Sequence, residues 1–135
     1  DRGYGFDFDT YLQSWNDSSS LIIQVESIEA VNNIDDLLAF DDVDGVMVGP
    51  YDISGSLGVP GQLSHPDVIE ASKTVINACL AHEKSCGTQI VDATPANAQA
   101  LFDLGYTYAI LSSDLFVLWK WAHSMQGLIH SMKTR

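Results

Sequence analysis

Apolar residues follow two spacings along this chain, and the alternation between them predicts short strands separated by helices. Four apolar runs rich in β-branched residues are typical of buried strands, and they cover residues 21–26, 45–49, 86–91 and 106–111. Apolar positions recur at helical spacing between these runs and at both ends of the chain. One helix followed by four β–α units indicates an α/β fold with a parallel sheet and right-handed crossovers.

Residues that commonly begin helices stand before each predicted helix: Asp7 or Asp9, Ser27, Ser64–Pro66, Thr94–Pro95 and Ser112–Asp114. The apolar pattern from Ile28 to Leu38 predicts one continuous second helix. Gly105 is the predicted stop of the helix that follows Pro95. Residues 50–61 contain Pro, Ser and Gly and are predicted to form a turn and a loop.

Composition narrows the possible partners. The 135 residues suit one domain with a real core, and no apolar run reaches the roughly 18–20 residues of a membrane span. A net charge of −12 argues against nucleic acid and anionic membranes as partners. Cys79 and Cys86 form no CxxC pair or disulfide framework, which predicts a reducing, cytoplasmic location. The absence of an initiator Met leads us to expect a fragment.

Two acidic residues follow neighbouring predicted strands. Glu26 and Asp52 each lie at or just past the carboxyl end of a strand, and these ends share one rim of a parallel sheet. Gln24 and Glu26 point to the same side of their strand, because side chains alternate. Two carboxylates with open positions suit Mg²⁺ or Mn²⁺. The alternative is that Glu26 caps the next helix and Asp52 begins a turn.

The segment Gly49–Asp52 adds a second candidate feature. Gly49 permits close approach of another group to the backbone. Pro50 has no N–H, whereas the N–H groups of Tyr51 and Asp52 are free at the rim and could bind a substrate carboxylate beside a metal. An ordinary turn from strand to loop explains the same residues.

Several segments resemble motifs of the HpcH/HpaI aldolases, and the resemblance covers essentially the whole chain. Its central motifs are Gln24–Ser27 and Val43–Ser54. The remaining similar segments are Arg2–Gly5, His65–Val68, Leu104–Tyr106 and Ser112–Asp114. The family fold is a (β/α)₈ TIM barrel. The resemblance therefore implies that residues 1–135 are the C-terminal half-barrel, with strands five to eight and a long C-terminal helix.

The resemblance also implies an activity and a site. The expected enzyme is a divalent-metal-dependent aldolase that cleaves a 4-hydroxy-2-oxo acid to pyruvate and an aldehyde through a metal-stabilised enolate. Glu26 and Asp52 are the implied ligands of Mg²⁺ or Mn²⁺. Gln24 is the implied catalytic and substrate-binding residue beside the 2-oxo acid. The backbone at Tyr51 and Asp52 is expected to receive the substrate carboxylate.

The chain departs from the family pattern in two ways. The family's N-terminal half supplies an arginine and a histidine–aspartate pair, and that half is not in this sequence. The seventh family strand ends in apolar residues near the substrate, where this chain has Thr88–Asp92. Two rival functions therefore stay open. One is a citrate-lyase-type acyl-CoA lyase, and the other is a catalytically inactive half-barrel interaction module.

The last helix is apolar on several sides. Phe116, Leu118, Trp119 and Trp121 surround much of its circumference. Core packing is the simpler explanation, because so apolar a helix is rarely exposed. The resemblance implies exchange of this helix between subunits of a homo-oligomer. Association with the missing N-terminal half is a further expectation, since a half-barrel leaves two open strand edges.

Overall fold

The computed structural model describes residues 5–133, apart from the side chains of residues 16 and 133, and confirms the predicted alternation of helices and parallel strands. The helices are α1 (Phe8–Ser18), α2 (Ile28–Asn32), α3 (Ile34–Leu38), α4 (Pro50–Ser56), α5 (Pro66–Ala81), α6 (Pro95–Asp103) and α7 (Asp114–Lys133). The strands are β1 (Ile22–Val25), β2 (Gly45–Val48), β3 (Ser85–Ile90) and β4 (Tyr108–Leu111). Most of the Arg2–Gly5 motif lies outside the described residues.

The four strands form one parallel sheet in the order β1-β2-β3-β4. Val25 pairs with Val48, and Val48 pairs in turn with Thr88. The carboxyl ends of the first three strands therefore meet at one rim, as the sequence predicts. β1 and β4 are the two edges of the sheet, which matches the two edges expected from the sequence.

One face of the sheet is covered by helices and contains the core. Its side chains include Val25, Val46, Val48 and Cys86, all at most 1% exposed. α5 is the central covering helix, since it contacts β2, β3 and the three helices α2–α4. Its register is set by buried residues at helical spacing, among them Val68, Val75 and Cys79. Burial of this face supplies the main hydrophobic stabilisation of the sheet.

The opposite face, which we call the inner face, carries partly exposed side chains within residues 5–133. Ile22 and Ile110 on this face are 41% and 37% exposed. The ring of Tyr108 lies across Gly87, where a methyl group would overlap the ring carbons. The Tyr108 hydroxyl donates a hydrogen bond to the Val46 carbonyl oxygen at 3.0 Å. Gly87 must therefore lack a side chain for the Tyr108 ring to reach from β4 across β3 to β2.

Two predictions about the connections were wrong. The expected continuous helix from Ile28 to Leu38 breaks at Asn33, whose backbone is not helical (φ −109°, ψ 21°). The Asn33 side chain donates to the Glu29 carbonyl oxygen at 2.8 Å, and such side chain–backbone bonds compete with the helix ladder. The predicted loop after Gly49 begins with helix α4, because Pro50 has the backbone angle of a first helical residue.

The last helix is not core. In the described chain Leu115, Leu118 and Trp119 of α7 are each more than 60% exposed, so the simpler expectation of core packing was wrong. α1 is similarly peripheral and exposes Phe8, Leu12 and Trp15. None of the helices within residues 5–133 combines the length and hydropathy of a bilayer-crossing segment.

Candidate functional site at the carboxyl ends of the strands

Glu26 and Asp52 come together at the rim of β1 and β2. Glu26 follows the last residue of β1, and Asp52 lies in the first turn of α4, which follows β2 after one residue. The backbone N–H of Gly49 donates to the Val25 carbonyl oxygen at 2.9 Å, so the strand pairing continues to the point where both acids begin. The two acidic residues therefore begin from neighbouring points on the rim of the sheet.

Gly49 is the residue that lets the two carboxylates share this space. A methyl group on Gly49 would lie 3.1 Å from Glu26 Cγ and 3.3 Å from Asp52 Oδ2. Both acidic side chains thus lean over the same glycine, and both remain exposed to solvent. A side chain at position 49 would occupy the space between them. The sequence-based reason for Gly49, close approach to the backbone, agrees with this arrangement.

Two serines of α4 hold the acidic loops in position. Ser54 is fully buried, donates to the Tyr51 carbonyl oxygen at 2.5 Å and accepts from the Gly61 N–H at 2.8 Å. Ser56 accepts a hydrogen bond from the Ile28 N–H at 3.0 Å. The bond between Ile28 and Ser56 ties the end of α4 to the segment that follows Glu26. Sequence reasoning assigned these serines to a loop and missed both roles.

The donor set fits a hard divalent cation. Gln24 Nε2 donates to Glu26 Oε1 at 2.6 Å, which orients one carboxylate and leaves its other oxygen available. Two exposed carboxylates leave open coordination positions for water or substrate, as Mg²⁺ and Mn²⁺ sites usually do. No cluster of three or more His, Cys, Asp or Glu side chains suited to a metal occurs among residues 5–133. A cation here would have two protein ligands.

The predicted anion-binding groups occupy the first turn of α4. Helix α4 begins at Pro50, and the first N–H groups of a helix have no partner within the helix. The N–H groups of Tyr51 and Asp52 are in these positions. The Tyr51 side chain is 66% exposed and its hydroxyl lies toward Gly61, so only its backbone belongs to the site.

Gln89 is a further polar residue at the same level of the sheet. The register pairs Val48 with Thr88, and its continuation sets Gln89 beside Gly49 on the side away from Glu26. Gln89 also pairs with Ile110 in β4 and shares the inner face with Gly87. Its polarity in an apolar strand is the signal that could have identified it, just as it identified Gln24. From sequence alone, Gln89 stands out only as part of a departure from the family pattern.

Fold and site together define the class: a parallel α/β protein with paired acids at the carboxyl rim of its strands, where (β/α) barrel enzymes place their sites. A sequence profile for "HpcH/HpaI aldolase/citrate lyase" matches residues 4–120. The chain belongs to the HpcH/HpaI aldolase/citrate lyase family.

Individual relatives agree with this assignment. The 5-keto-4-deoxy-D-glucarate aldolase of Escherichia coli O139:H28 (strain E24377A / ETEC) is 37% identical over 114 residues, which are 84% of this chain and 43% of that protein. The crystal structure of an HpcH/HpaI aldolase from Desulfitobacterium hafniense DCB-2 matches with a TM-score of 0.77 at 30% identity, covering 90% of this chain and 47% of that one. A family protein from Burkholderia cenocepacia J2315 gives 0.78 at 30% identity, with coverage of 95% and 48%. The chain spans less than half the length of these relatives.

Proposed function

We propose that this chain carries the metal-binding half of an aldolase that cleaves a 4-hydroxy-2-oxo acid into pyruvate and an aldehyde. The observation that carries the proposal is the approach of Glu26 and Asp52 to one glycine at the rim of the sheet. The name of the Escherichia coli relative supports a carbon–carbon lyase acting on an oxo acid. Mg²⁺ or Mn²⁺ is the proposed cofactor, because both ions prefer oxygen ligands.

Each residue of the site has a proposed task. Glu26 and Asp52 hold the cation, and the Gln24 amide orients Glu26 while facing the 2-oxo acid. The N–H groups of Tyr51 and Asp52 bind the substrate carboxylate. When bound, the cation supplies Lewis-acid stabilisation of the negative charge that develops on the substrate ketone oxygen. Gln89 faces the other side of Gly49, where its amide would bind a polar group of the substrate.

We further propose that the described chain acts together with another half-barrel. Ile22 and Ile110 are exposed on the inner face, and the relatives are about twice as long as the matched region. A complementary N-terminal half would cover that face and add the arginine and the histidine–aspartate pair that the family uses. The exposed apolar side chains of α7 fit exchange of this helix between subunits of a homo-oligomer. A cytoplasmic location is proposed, since both cysteines are free thiols.

The family's name joins aldolases with citrate lyases, so an acyl-CoA lyase is the second candidate. Lys73, Lys84 and Lys120 are the lysines whose side chains the structure describes. Lys120 pairs with Asp92 at 2.7 Å, and Lys84 donates to the Phe40 carbonyl oxygen at 2.6 Å. Two of these three ammonium groups are therefore already paired within the described chain, which disfavours a role in binding the phosphates of CoA. An inactive interaction module is the third candidate, and α7 would be its contact surface.

A test of the proposal measures pyruvate release from 5-keto-4-deoxy-D-glucarate and from oxaloacetate, coupled to lactate dehydrogenase. Glu26→Gln removes one proposed ligand, and Glu29→Gln, an exposed acid in the first turn of α2, makes the same charge change away from the site. We expect Mn²⁺ binding that Glu26→Gln abolishes and Glu29→Gln retains, and pyruvate release with the same dependence when the complementary half is present. Metal binding without turnover would assign the chain the binding task alone. Equal behaviour of the two variants in turnover and in metal binding would refute the site.

A further inference from the structure

A pair of cysteines lies at the opposite end of the sheet from the proposed cation site. Cys79 is in the last turn of α5, and Cys86 is the second residue of β3. Both are 1% exposed and belong to the hydrophobic core. Only the turn formed by residues 82–84 separates the helix from the strand. Glu83 in this turn has a left-handed backbone (φ 56°), which lets the chain reverse direction within three residues.

The two thiols contact each other. The Cys86 thiol donates a hydrogen bond to the Cys79 sulfur, which lowers the pKa of Cys79, and the nearby Lys84 ammonium lowers it further against the effect of burial. The same contact, together with burial, raises the pKa of Cys86. The thiolate is the reactive form of cysteine. The directions of the two pKa shifts favour Cys79 over Cys86 as the thiolate of the pair.

A cavity at the surface borders both cysteines. Cys79 and Cys86 line one cavity of about 380 Å³, whose other walls include Glu83, Lys84 and Ser85. Glu83 and Ser85 are exposed, so the cavity lies at the surface although the sulfurs do not. A molecule of hydrogen peroxide is far smaller than this volume. The cavity is at the amino end of β3, so it is separate from the rim that carries Glu26 and Asp52.

We propose that Cys79 and Cys86 are a modification site at which a peroxide forms an intramolecular disulfide. The Cys79 thiolate attacks one peroxide oxygen and the O–O bond breaks, which gives a sulfenic acid and one water after proton uptake. The Cys86 sulfur then attacks the Cys79 sulfur, the S–S bond forms, the S–O bond breaks and a second water leaves. The two thiols lose two electrons and two protons, and one hydrogen peroxide becomes two waters.

Backbone hydrogen bonds hold both cysteines in place beside each other. The two thiols are already in hydrogen-bond contact. Such proximity matters because a disulfide forms only where the two Cβ atoms lie within about 4.5 Å of each other. The Lys84 N–H donates to the Cys79 carbonyl oxygen at 2.8 Å, which holds the start of the connection against the helix end. The Cys86 N–H is fixed on the other side by Thr107 Oγ1 at 2.9 Å. The product would tie α5 covalently to β3.

The test treats the native chain with hydrogen peroxide, blocks remaining thiols with iodoacetamide under unfolding conditions and measures the intact mass. We expect loss of two hydrogen atoms, no alkylation and a cross-linked peptide joining Cys79 to Cys86. The same treatment in urea should cross-link at least about tenfold more slowly, because the fold no longer holds the thiols together. Cys86→Ser should instead accumulate oxygen on Cys79.

Three results would overturn the proposal. These are two alkylated thiols after peroxide treatment, separate oxygen additions to the two cysteines, and equal cross-linking rates in the native and unfolded chain. The native measurement uses no substitution, so it decides the matter even where a serine variant fails to fold. None of these results depends on metal binding or lyase activity.

Discussion

Adding one methyl group at Gly49 should weaken cation binding without unfolding the chain. In Gly49→Ala the new carbon would lie 3.1 Å from Glu26 Cγ, against the roughly 3.5–4.0 Å of relaxed carbon contacts. Its distance to Asp52 Oδ2 would be 3.3 Å. The Glu26 side chain must therefore retreat by about half an ångström. Metal–oxygen distances vary by only about 0.2 Å in good sites, so the retreat misplaces a ligand.

The expected loss follows from this displacement. Disturbing the groups that orient a metal ligand usually weakens binding by about 10–100-fold. This corresponds to about 1.4–2.7 kcal/mol. Folding should not suffer, because Gly49 has a negative φ (−103°) that alanine readily adopts. A Gly→Ala change at a compatible position stabilises by about 0.4–1 kcal/mol through the unfolded state.

The assay is Mn²⁺ titration by calorimetry, with urea unfolding of the same samples. Gly55→Ala is the matched control, because it lies in α4 and its new methyl group would have no neighbour within 4 Å. We expect unchanged Mn²⁺ affinity in Gly55→Ala and a weakened affinity in Gly49→Ala, with similar unfolding midpoints. Wild-type affinity in Gly49→Ala would show that the cation does not lie between Glu26 and Asp52.

Three further predictions test the surroundings of the site. Gln24→Leu removes the 2.6 Å hydrogen bond that orients Glu26, and it should lower Mn²⁺ affinity about tenfold in the same titration. An unchanged affinity would show that Gln24 does not orient the ligand. Ser54→Ala deletes a buried hydroxyl with two hydrogen bonds and should lower the free energy of unfolding in urea by about 1–3 kcal/mol, whereas no loss would contradict its positioning task. Burial raises the pKa of Tyr106 to about 12, above the usual value near 10, so the native state retains the proton longer than the unfolded chain. The contribution of Tyr106 to the free energy of unfolding should therefore be intact below pH 10 and fall by about 3 kcal/mol between pH 10 and 12. Urea titrations of Tyr106→Phe should not show this drop.

Local sequence signals were sufficient for the strands and for the carboxylates. Apolar runs identified β1 to β4 within two residues at every end, because parallel strands packed against helices are largely apolar. The position of Glu26 and Asp52 after neighbouring strands follows from parallel topology alone. Ser27 and Thr94 cap α2 and α6 as predicted, since each hydroxyl accepts a backbone N–H in the first turn.

The remaining features depend on contacts between distant segments. Helix α4 was missed because its Ser and Gly residues favour loops. The helix packs against the rest of the fold through Ile53 and Ser54, which are fully buried, and this packing is not visible in the local sequence. The exposure of α7 could not be read from its composition, which resembles that of a core helix. The contact between Cys79 and Cys86 joins the end of α5 to the start of β3. The spacing of two isolated cysteines does not reveal that contact.

The most direct test of the central claim is an amide NMR spectrum of the ¹⁵N-labelled chain during addition of substoichiometric Mn²⁺, which broadens signals near the ion. A net charge of −12 offers competing acidic surfaces, including the exposed Asp41, Asp42 and Asp44. We predict that the amides of Glu26, Gly49 and Asp52 broaden first, and that Glu26→Gln removes this effect. Broadening that begins around residues 41–44, or that is unchanged in Glu26→Gln, would contradict a cation site between the two rim carboxylates.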